Sequence, residues 1–205
     1  MKYVTVSMKE LKEESKKWAK RIEKDYYPDL IVYIAKAGLV IGNEFSKEMN
    51  IPMIGVETVR KKGNGIKNRL APIIRKLPNC IRNFLISIEL ISGIHKRNNE
   101  RKVIILDDIK KYKNIKRILV VDDSVDTGAS VLAVKEVLNK EFGDIEIRIA
   151  GLNVWKKSDE LIHTDYALYK NTIIKAPMSK DSDEYELFLR EYQEYQENKS
   201  GRYNI

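Results

Sequence analysis

The sequence is poor in the residues that bind soft metals or form cross-links. Its 205 residues include one cysteine, Cys80, and two histidines, His95 and His163. One cysteine cannot form a disulfide within the chain, and these three residues cannot supply the sulfur and imidazole ligands of a zinc site. Any bound metal is therefore expected to be a hard cation held by oxygen atoms, such as Mg²⁺.

Long hydrophobic runs are also missing. The longest apolar stretch, Phe84 to Ile91, is interrupted by Glu89. It is far shorter than the ~20 apolar residues of a membrane-spanning helix. The segment Met1 to Glu10 contains no apolar signal core. We therefore expect a cytoplasmic protein that does not enter a membrane.

Positive charge, in contrast, is abundant. Lys and Arg number 38 against 30 Asp and Glu, which gives a formal charge of +8, and 43% of the residues are hydrophobic. This composition is typical of a globular protein and excludes disordered and fibrous classes. The charge suits nucleic acid or an anionic membrane, and it suits equally a small phosphorylated substrate attracted by a positive field. Charge alone does not decide between them.

Strand-like and helix-like patterns alternate along the chain. β-Branched runs predict strands at Leu30 to Ala35, Met53 to Val59, Val103 to Leu106, Ile118 to Val121 and Ile145 to Leu152. Helical spacing predicts helices at Ser7 to Lys24 with a Ser7–Glu10 capping box, Leu39 to Met49, Ser130 to Phe142, and a polar Tyr185 to Asn198. Such alternation indicates a mainly parallel sheet covered on both faces. We expect a single doubly wound α/β domain over residues 1–205, with ligands at the carboxyl ends of its strands.

A helical insertion interrupts this alternation. Between Gly63 and Asn99 the apolar residues keep helical spacing around Pro78, which predicts two amphipathic helices at about residues 68–99. Their apolar stripe, flanked by basic residues, would suit a membrane surface, a subunit partner or a lipid-linked acceptor. Plain packing on the domain or on a dimer mate is the simpler alternative.

The clearest chemical pattern follows the strand Ile118 to Val121. The strand delivers Asp122 and Asp123 to its carboxyl end, and Asp126 then leads into the turn Thr127 to Ser130. The turn can direct backbone N–H groups and hydroxyls at one phosphate, at the positive end of the following helix. Carboxylates beside it suit ribose hydroxyls or a hydrated Mg²⁺. Together they indicate a site for a phosphorylated sugar.

Three other interpretations of this pattern are weaker. Two acids can merely cap a buried strand, but here the Thr-Gly-Ala-Ser turn is attached to them. An acidic strand end of the Walker B type would need a G-x-x-x-x-G-K-[ST] loop, which the sequence lacks. A dinucleotide-binding loop fails as well, because Gly63-Asn64-Gly65 has no third glycine.

The segment Ile118 to Ser130 resembles the phosphoribosyl pyrophosphate motif of type I phosphoribosyltransferases: apolar residues, two acids, two variable residues, then Asp-Thr-Gly-x-Ser/Thr. The resemblance implies that Asp122 and Asp123 hold the ribose 2′ and 3′ hydroxyls and Mg²⁺, directly or through water. It assigns the 5′-phosphate to Asp126, Thr127, Gly128, Ala129 and Ser130. In purine-specific members the acid matching Asp126 is also the base toward the attacking ring nitrogen, which makes it the expected catalytic residue.

The loop after the first predicted strand is similar to the pyrophosphate loop of the same family. Lys36, Ala37 and Gly38 form it, with Ala37 in place of a usual glycine. The family often has a non-proline cis peptide here, which would be Ala35–Lys36 or Lys36–Ala37. By position, Arg60 to Lys67 matches the mobile catalytic loop, so Lys61 and Lys62 are expected to contact pyrophosphate. An ordinary solvated turn is the alternative for each loop.

Residues 153–182 resemble the small hood of 6-oxopurine phosphoribosyltransferases, where the acceptor binds. The match implies that Lys156, or Lys157 with a shift of one residue, contacts a purine oxygen. Ile173 stands where a stacking aromatic is usual, and Trp155 is a candidate to stack instead or to lie in the core.

The leading hypothesis is thus a Mg²⁺-dependent enzyme that transfers phosphoribose from 5-phosphoribosyl 1-pyrophosphate to hypoxanthine, guanine or xanthine. Its relatives often form homodimers, and nucleic acid is not an expected partner. Two alternatives remain open: a transferase whose acceptor is not a free base, and a non-catalytic regulator that senses phosphoribosyl pyrophosphate.

Overall fold

The computed structural model describes residues 2–60 and 101–201. The predicted insertion at about 68–99 and the loop residues Lys61 and Lys62 lie outside the described residues. The strands are β1 (Lys2–Thr5), β2 (Leu30–Ala35), β3 (Met53–Arg60), β4 (Arg101–Ile105), β5 (Arg117–Val125), β6 (Glu146–Val154), β7 (Tyr166–Lys170) and β8 (Thr172–Lys175). The helices described are α1 (Met8–Glu23), α2 (Gly38–Met49), α3 (Ala129–Phe142) and α4 (Tyr185–Gly201).

The central sheet has the strand order β4-β3-β2-β5-β6-β7, in which only β4 is antiparallel to its neighbour. The prediction of a mainly parallel, doubly wound α/β sheet is therefore confirmed. β2 and β5 are the middle strands. The aliphatic side chains of β2 and of the first half of β5 are buried on both faces of the sheet. That burial explains why both strands read as continuous apolar runs rather than as alternating ones.

Helices cover both faces of this sheet. On one face α1 packs on α2, with Trp18 edge-on to Phe45 at 5.2 Å between ring centroids, over Ile31 and Leu119 of the sheet. On the other face α3 packs over the remaining side chains of β2 and β5. The helix α1 begins with the predicted capping box, since Ser7 Oγ accepts from Glu10 N–H and Glu10 Oε2 accepts from Ser7 N–H.

The strand that carries the acidic pair is longer than predicted. It was expected to end at Val121, but β5 continues to Val125. The reason is its neighbour: β6 also runs on to Val154, so backbone pairing persists past the carboxylates, with Asp122 opposite Gly151 and Ser124 opposite Asn153. Asp122 and Asp123 therefore lie among the last residues of a paired strand rather than in the loop beyond it.

A second small sheet joins distant parts of the chain. The strand β1 pairs in parallel with β8, with Tyr3 opposite Ile173. Neither strand was predicted, because both are only four residues long and too short to show a periodic apolar pattern. Residues predicted to belong to the hood, about 153–182, therefore pair with an N-terminal strand.

The C-terminal helix also differs from its prediction as a polar helix. Phe188 of α4 is only 3% exposed and joins the core on the α1 and α2 side. An ion pair joins the helix to α1, with Lys12 Nζ 2.8 Å from Glu191 Oε1. Glu184, the residue before the helix, adds a hydrogen bond, since Met8 N–H donates to Glu184 Oε2 at 2.6 Å. Across residues 2–60 and 101–201, no helix combines the length and apolar character needed to cross a membrane.

Candidate functional site

The predicted loops meet at one edge of the sheet, as parallel topology requires. β2, β5 and β6 are neighbours that run in the same direction, so the residues after their carboxyl ends lie side by side. The contact between the first two loops is close: a Cβ on Gly38 would lie 2.8 Å from the carbonyl oxygen of Val121. Gly38 therefore lets the start of α2 approach β5 directly at Val121, the residue before Asp122.

The loop between β2 and α2 contains a non-proline cis peptide, the feature that the family resemblance raised. It is the bond Ala35–Lys36, one of the two candidates from the sequence. Leu39 N–H donates to Lys36 C=O at 3.1 Å, and α2 begins at Gly38 with Ala37 as its N-cap, which has no side-chain acceptor. The amino-terminal end of α2, where the helix dipole favours an anion, is thus presented at the edge of the sheet beside Asp122 and its neighbours.

The loop between β5 and α3 has the shape expected of a phosphate-binding turn. Gly128 is its left-handed residue, with φ 76°, and is the N-cap of α3. A side chain there would also collide with Ile162, so both backbone conformation and space require glycine. Ala129 N–H donates to Thr127 Oγ1 at 3.4 Å, and the Ser130 hydroxyl lies 3.3 Å from Thr58 Oγ1 of β3.

Two arginines complete this part of the site: Arg60, which the sequence placed at the start of the basic loop Arg60 to Lys67, and Arg101, which it did not assign. A cavity of about 260 Å³ is lined by the turn from Asp126 to Ser130, by Asp122, and by Arg60 and Arg101. Arg60 and Arg101 are directly opposite each other on β3 and β4. The only sequence signal was the position of one arginine at each end of the segment 61–100; their juxtaposition needs the antiparallel pairing.

The positive charges of Arg60 and Arg101 are not offset by an ion pair with any carboxylate among the described residues. Desolvation, and after it the charge of Arg60, lowers the pKa of Arg101. The Arg101 Nε is buried without a hydrogen-bond partner, and no carboxylate of residues 2–60 or 101–201 forms an ion pair with either arginine. Like charges opposite each other in a sheet are unfavourable. An anion in the cavity would relieve this repulsion and supply the missing acceptor.

Asp122 and Asp123 are the most perturbed acids of the site. Asp122 is 5% exposed, and its Oδ1 accepts a hydrogen bond from Asp123 N–H at 3.0 Å. Burial, and then the neighbouring charge of Asp123, raises the pKa of Asp122 well above its usual range. Burial also raises the pKa of Asp123. Two carboxyl groups this close and this poorly hydrated favour a cation or hydroxyl donors beside them.

The two acids line different cavities. Asp122 lines the first cavity, whereas Asp123 lines a second cavity of about 200 Å³ between the ends of β5 and β6 and the strand β8. Ser124 borders both. Asp126 is exposed and lines the first cavity only. The acidic pair thus lies at the junction of two adjoining spaces.

The second cavity contains two of the three predicted acceptor residues. Trp155 and Ile173 line it together with aliphatic side chains of the hood, and Trp155 is half-buried rather than part of the core. Lys156 is exposed and is not among the lining residues. The side chain of Asn153 fixes the cavity wall, since its Nδ2 donates to Thr172 C=O at 2.7 Å and its Oδ1 accepts from Thr172 N–H at 3.3 Å.

The described residues do not form a preassembled metal site. Among the described residues, no group of three or more His, Cys, Asp or Glu side chains could hold a metal ion. The acidic pair fits Mg²⁺ in a different way, because Mg²⁺ commonly binds one or two carboxylates together with waters and substrate phosphates. The donor set is therefore suited to a cation that arrives with a phosphorylated substrate.

Comparison with known proteins agrees with this geometry. The family model described as "Phosphoribosyl transferase domain" matches residues 7–173. No curated protein matches the sequence. Among solved structures, purine phosphoribosyltransferase from Pyrococcus horikoshii is similar at 21% identity and a TM-score of 0.59, over 89% of this chain and 97% of that one.

Two further structures show the same fold. Xanthine-guanine-hypoxanthine phosphoribosyltransferase from Helicobacter pylori has 19% identity and a TM-score of 0.61, over 87% of this chain and 95% of that one. A hypothetical protein from Neisseria gonorrhoeae with bound ppGpp has 14% identity and a TM-score of 0.56, over 92% and 94% of the two chains.

Proposed function

Because the chain belongs to the phosphoribosyltransferase family, we propose that it transfers the 5-phosphoribosyl group of 5-phosphoribosyl 1-pyrophosphate to a purine base, with release of pyrophosphate. The observation that carries this proposal is the pair of adjoining cavities with Asp122 and Asp123 at their junction. A sugar at that junction would extend its phosphate into one cavity and expose its anomeric carbon to a base in the other.

The 5′-phosphate is assigned to Asp126, Thr127, Gly128, Ala129 and Ser130. The start of α3 supplies N–H groups and a favourable dipole, and Gly128 gives the backbone its close approach. We add Arg60 and Arg101 to this set, since both line the same cavity and have no carboxylate partner among the described residues. Their guanidinium groups are suited to bidentate contacts with phosphate oxygens.

The ribose hydroxyls and Mg²⁺ are assigned to Asp122 and Asp123. When bound, Mg²⁺ would neutralise negative charge on the departing pyrophosphate. The carboxylates themselves would accept hydrogen bonds from the ribose hydroxyls and stabilise positive charge on the sugar as the bond to pyrophosphate breaks. The raised pKa of both acids supports this role, because each gains from a nearby cation or donor.

Pyrophosphate is assigned to Lys36, Ala37 and Gly38, with Lys61 and Lys62 of the following loop. Lys36 follows the end of β2 and precedes the start of α2, where the helix dipole favours an anion. Asp126 is proposed as the base that accepts a proton from the ring nitrogen of the acceptor. Asp126 is exposed and lines the first cavity, so this role requires the ring nitrogen of the acceptor to reach it at the junction of the two cavities.

The acceptor is proposed to be a 6-oxopurine. A cavity of about 200 Å³ lined by both apolar and polar side chains is suited to a flat two-ring base, with Trp155 and Ile173 against its faces. Lys156, or Lys157, would contact the exocyclic oxygen at the rim. We also propose that residues 1–205 form one domain, that 68–99 are a helical insertion, that 153–182 form the hood, and that two copies associate as a homodimer.

The proposal is tested by incubating the protein with Mg²⁺ and phosphoribosyl pyrophosphate, adding purines, pyrimidines or cell extract, and measuring pyrophosphate release. We expect release with hypoxanthine, guanine or xanthine. Release only with extract would favour an acceptor other than a free base. Tight substrate binding without release under any condition would favour a regulator that senses phosphoribosyl pyrophosphate.

A further inference from the structure

The helix α4 carries a row of aromatic side chains that begins in the core. Tyr185, Phe188, Tyr192 and Tyr195 follow at helical spacing. Ring centroids are 6.1 Å apart for Tyr185 and Phe188, and 6.5 Å apart for Phe188 and Tyr192. Phe188 is 3% exposed within the core of the α1 and α2 face, so the row has a fixed base.

The other end of the row is also anchored. Tyr195 packs edge-on against the buried Tyr33 of β2, with 6.2 Å between ring centroids. The ion pair of Lys12 with Glu191 ties the intervening turn of α4 to α1. Tyr192 lies between these anchors along the helix. Its ring is therefore held in one place, beside the loop that follows β2.

Lys36 contacts this ring. Its Nζ lies 5.5 Å from the Tyr192 ring centroid, within the range of a cation–π interaction. Within residues 2–60 and 101–201, no carboxylate forms an ion pair with Lys36. An ion pair would neutralise the ammonium group, whereas a ring face restrains it and leaves its charge and N–H groups available to an anion.

The surroundings favour a neutral ring. Burial, and after it the carboxylate of Glu57, raises the pKa of the Tyr192 phenol. The phenol therefore stays protonated at neutral pH and offers Lys36 the face of a neutral aromatic. A flexible lysine loses rotamer freedom when it binds a ligand, and restraint before binding reduces that cost.

We propose that Tyr192 is a positioning residue, which holds the Lys36 ammonium at the pyrophosphate loop before the substrate binds. The inference depends on the proposed function, in which Lys36 contacts pyrophosphate. It extends the site to the C-terminal helix, which the family match over residues 7–173 does not include.

The test compares Tyr192→Leu, which removes the ring, with Tyr192→Phe, which keeps it. Calorimetric titration with Mg²⁺ and pyrophosphate would measure binding directly, and steady-state assays would give KM for phosphoribosyl pyrophosphate. For Tyr192→Leu we expect the Kd of pyrophosphate and the KM of phosphoribosyl pyrophosphate each to rise roughly two- to fivefold. That change corresponds to the free energy of an exposed cation–π contact. The kcat and the KM of the acceptor should stay unchanged, and Tyr192→Phe should behave as wild type.

Two further variants separate positioning from general stability. In a Lys36→Met background, Tyr192→Leu should cause no additional loss of pyrophosphate affinity, since the contact is already absent. Leu138→Ala, in the separate core on the α3 side of the sheet, should lower the melting temperature while leaving pyrophosphate affinity unchanged.

Several results would overturn the inference. Wild-type affinity in folded Tyr192→Leu would do so, as would tighter binding, which would mean that the ring sequesters Lys36. An equal loss in the Lys36→Met background would point to a merely structural role. If Lys36→Met weakens binding and Tyr192→Leu does not, only this inference fails. If wild-type protein does not bind Mg²⁺ and pyrophosphate, the proposed function fails with it.

Discussion

Asp122 and Asp123 are adjacent in sequence, yet their side chains line different cavities. The reason is that successive residues of a strand point in opposite directions, and β5 stays a strand through both of them. One acid faces the turn from Asp126 to Ser130 and the other faces β8. A step of one residue along one strand thus relates the two cavities.

A first prediction at this scale concerns the proposed base. Asp126→Asn removes the proton acceptor but keeps the size of the side chain. Because the other phosphate contacts remain, binding of phosphoribosyl pyrophosphate should be retained, while kcat should fall by about 10²- to 10⁴-fold. Equilibrium binding and steady-state rates measure the two effects separately. An unchanged rate would remove Asp126 from the mechanism.

A second prediction concerns the buried acid. Asp122→Asn keeps the acceptor for Asp123 N–H but removes a poorly hydrated charge beside a second carboxylate. The ligand-free variant should therefore be more stable than wild type, by about 1 kcal/mol or roughly 2–4 °C in melting temperature. It should also lose affinity for phosphoribosyl pyrophosphate. A variant that melts below wild type would show that the carboxylate stabilises the empty protein.

At the scale of elements, the β3–β4 pair contributes more than an edge to the sheet. Its antiparallel register sets Arg60 opposite Arg101, and Thr58 on the same face approaches Ser130 of the phosphate turn. A parallel edge strand would not bring these two arginines together. The single antiparallel strand among the described members of the main sheet is thus part of the site's construction.

We predict that Arg101→Met raises KM for phosphoribosyl pyrophosphate by roughly 10- to 150-fold, since a hydrogen bond to a charged group contributes about 1.5–3 kcal/mol. Ligand-free stability should not fall, because a like-charged pair is relieved. Arg117→Met is the matched control: it makes the same charge change on β5, at the end remote from the site, where Arg117 pairs with Asp29. Equal effects from both variants would indicate loss of general electrostatic attraction only.

The loop before β2 offers a pH-dependent test of stability. Asp29 accepts hydrogen bonds from Lys116 N–H at 2.9 Å and Arg117 N–H at 2.8 Å, joining the starts of β2 and β5. Partial burial alone would raise the pKa of Asp29, but these hydrogen bonds outweigh it and lower the pKa. A depressed pKa means that the charged group stabilises the fold above the unfolded value, about 3.9, and that this contribution is lost in acid.

Asp29→Asn should therefore lower the free energy of unfolding by about 1 kcal/mol at pH 7. The difference between variant and wild type should shrink as the pH falls through the folded pKa of Asp29, because the wild-type carboxyl then becomes neutral as well. Urea unfolding at pH 7 and near pH 3 measures both values. A difference that grows in acid would contradict the assignment.

At the scale of the whole molecule, binding and stability should be linked. Phosphoribosyl pyrophosphate with Mg²⁺, at about 100 times its Kd, should stabilise the folded state by about 2.7 kcal/mol. For a chain of this size that corresponds to a rise of roughly 5–11 °C in melting temperature. Thermal unfolding with and without ligand measures the shift.

Two controls define that experiment. A chelator should abolish the shift if the cation binds with the substrate at Asp122 and Asp123, and it should leave the melting temperature of the ligand-free protein unchanged. Asp122→Asn should show no shift with the complete ligand mixture. A full shift in the presence of chelator would exclude a requirement for Mg²⁺ in binding.

Most of the sheet and the turn after β5 could be predicted because their signals are local. β2 and α1 follow their apolar patterns to within a residue or two, and the turn from Thr127 to Ser130 is one contiguous segment. The predicted end of β5 was wrong because the length of this strand depends on how far β6 continues beside it. β1 and β8 were missed because each is stabilised by the other, about 170 residues away in sequence.

The feature that the sequence by itself determined is the acidic strand end with its phosphate turn, since adjacent residues on one strand, turn and helix N-terminus need only local backbone geometry to converge. The tertiary structure decided what surrounds it. Arg60 meets Arg101 through antiparallel pairing, and Lys36 meets Tyr192 because α4 packs back on α1 and β2. Such contacts join residues far apart in sequence, and no local pattern encodes them.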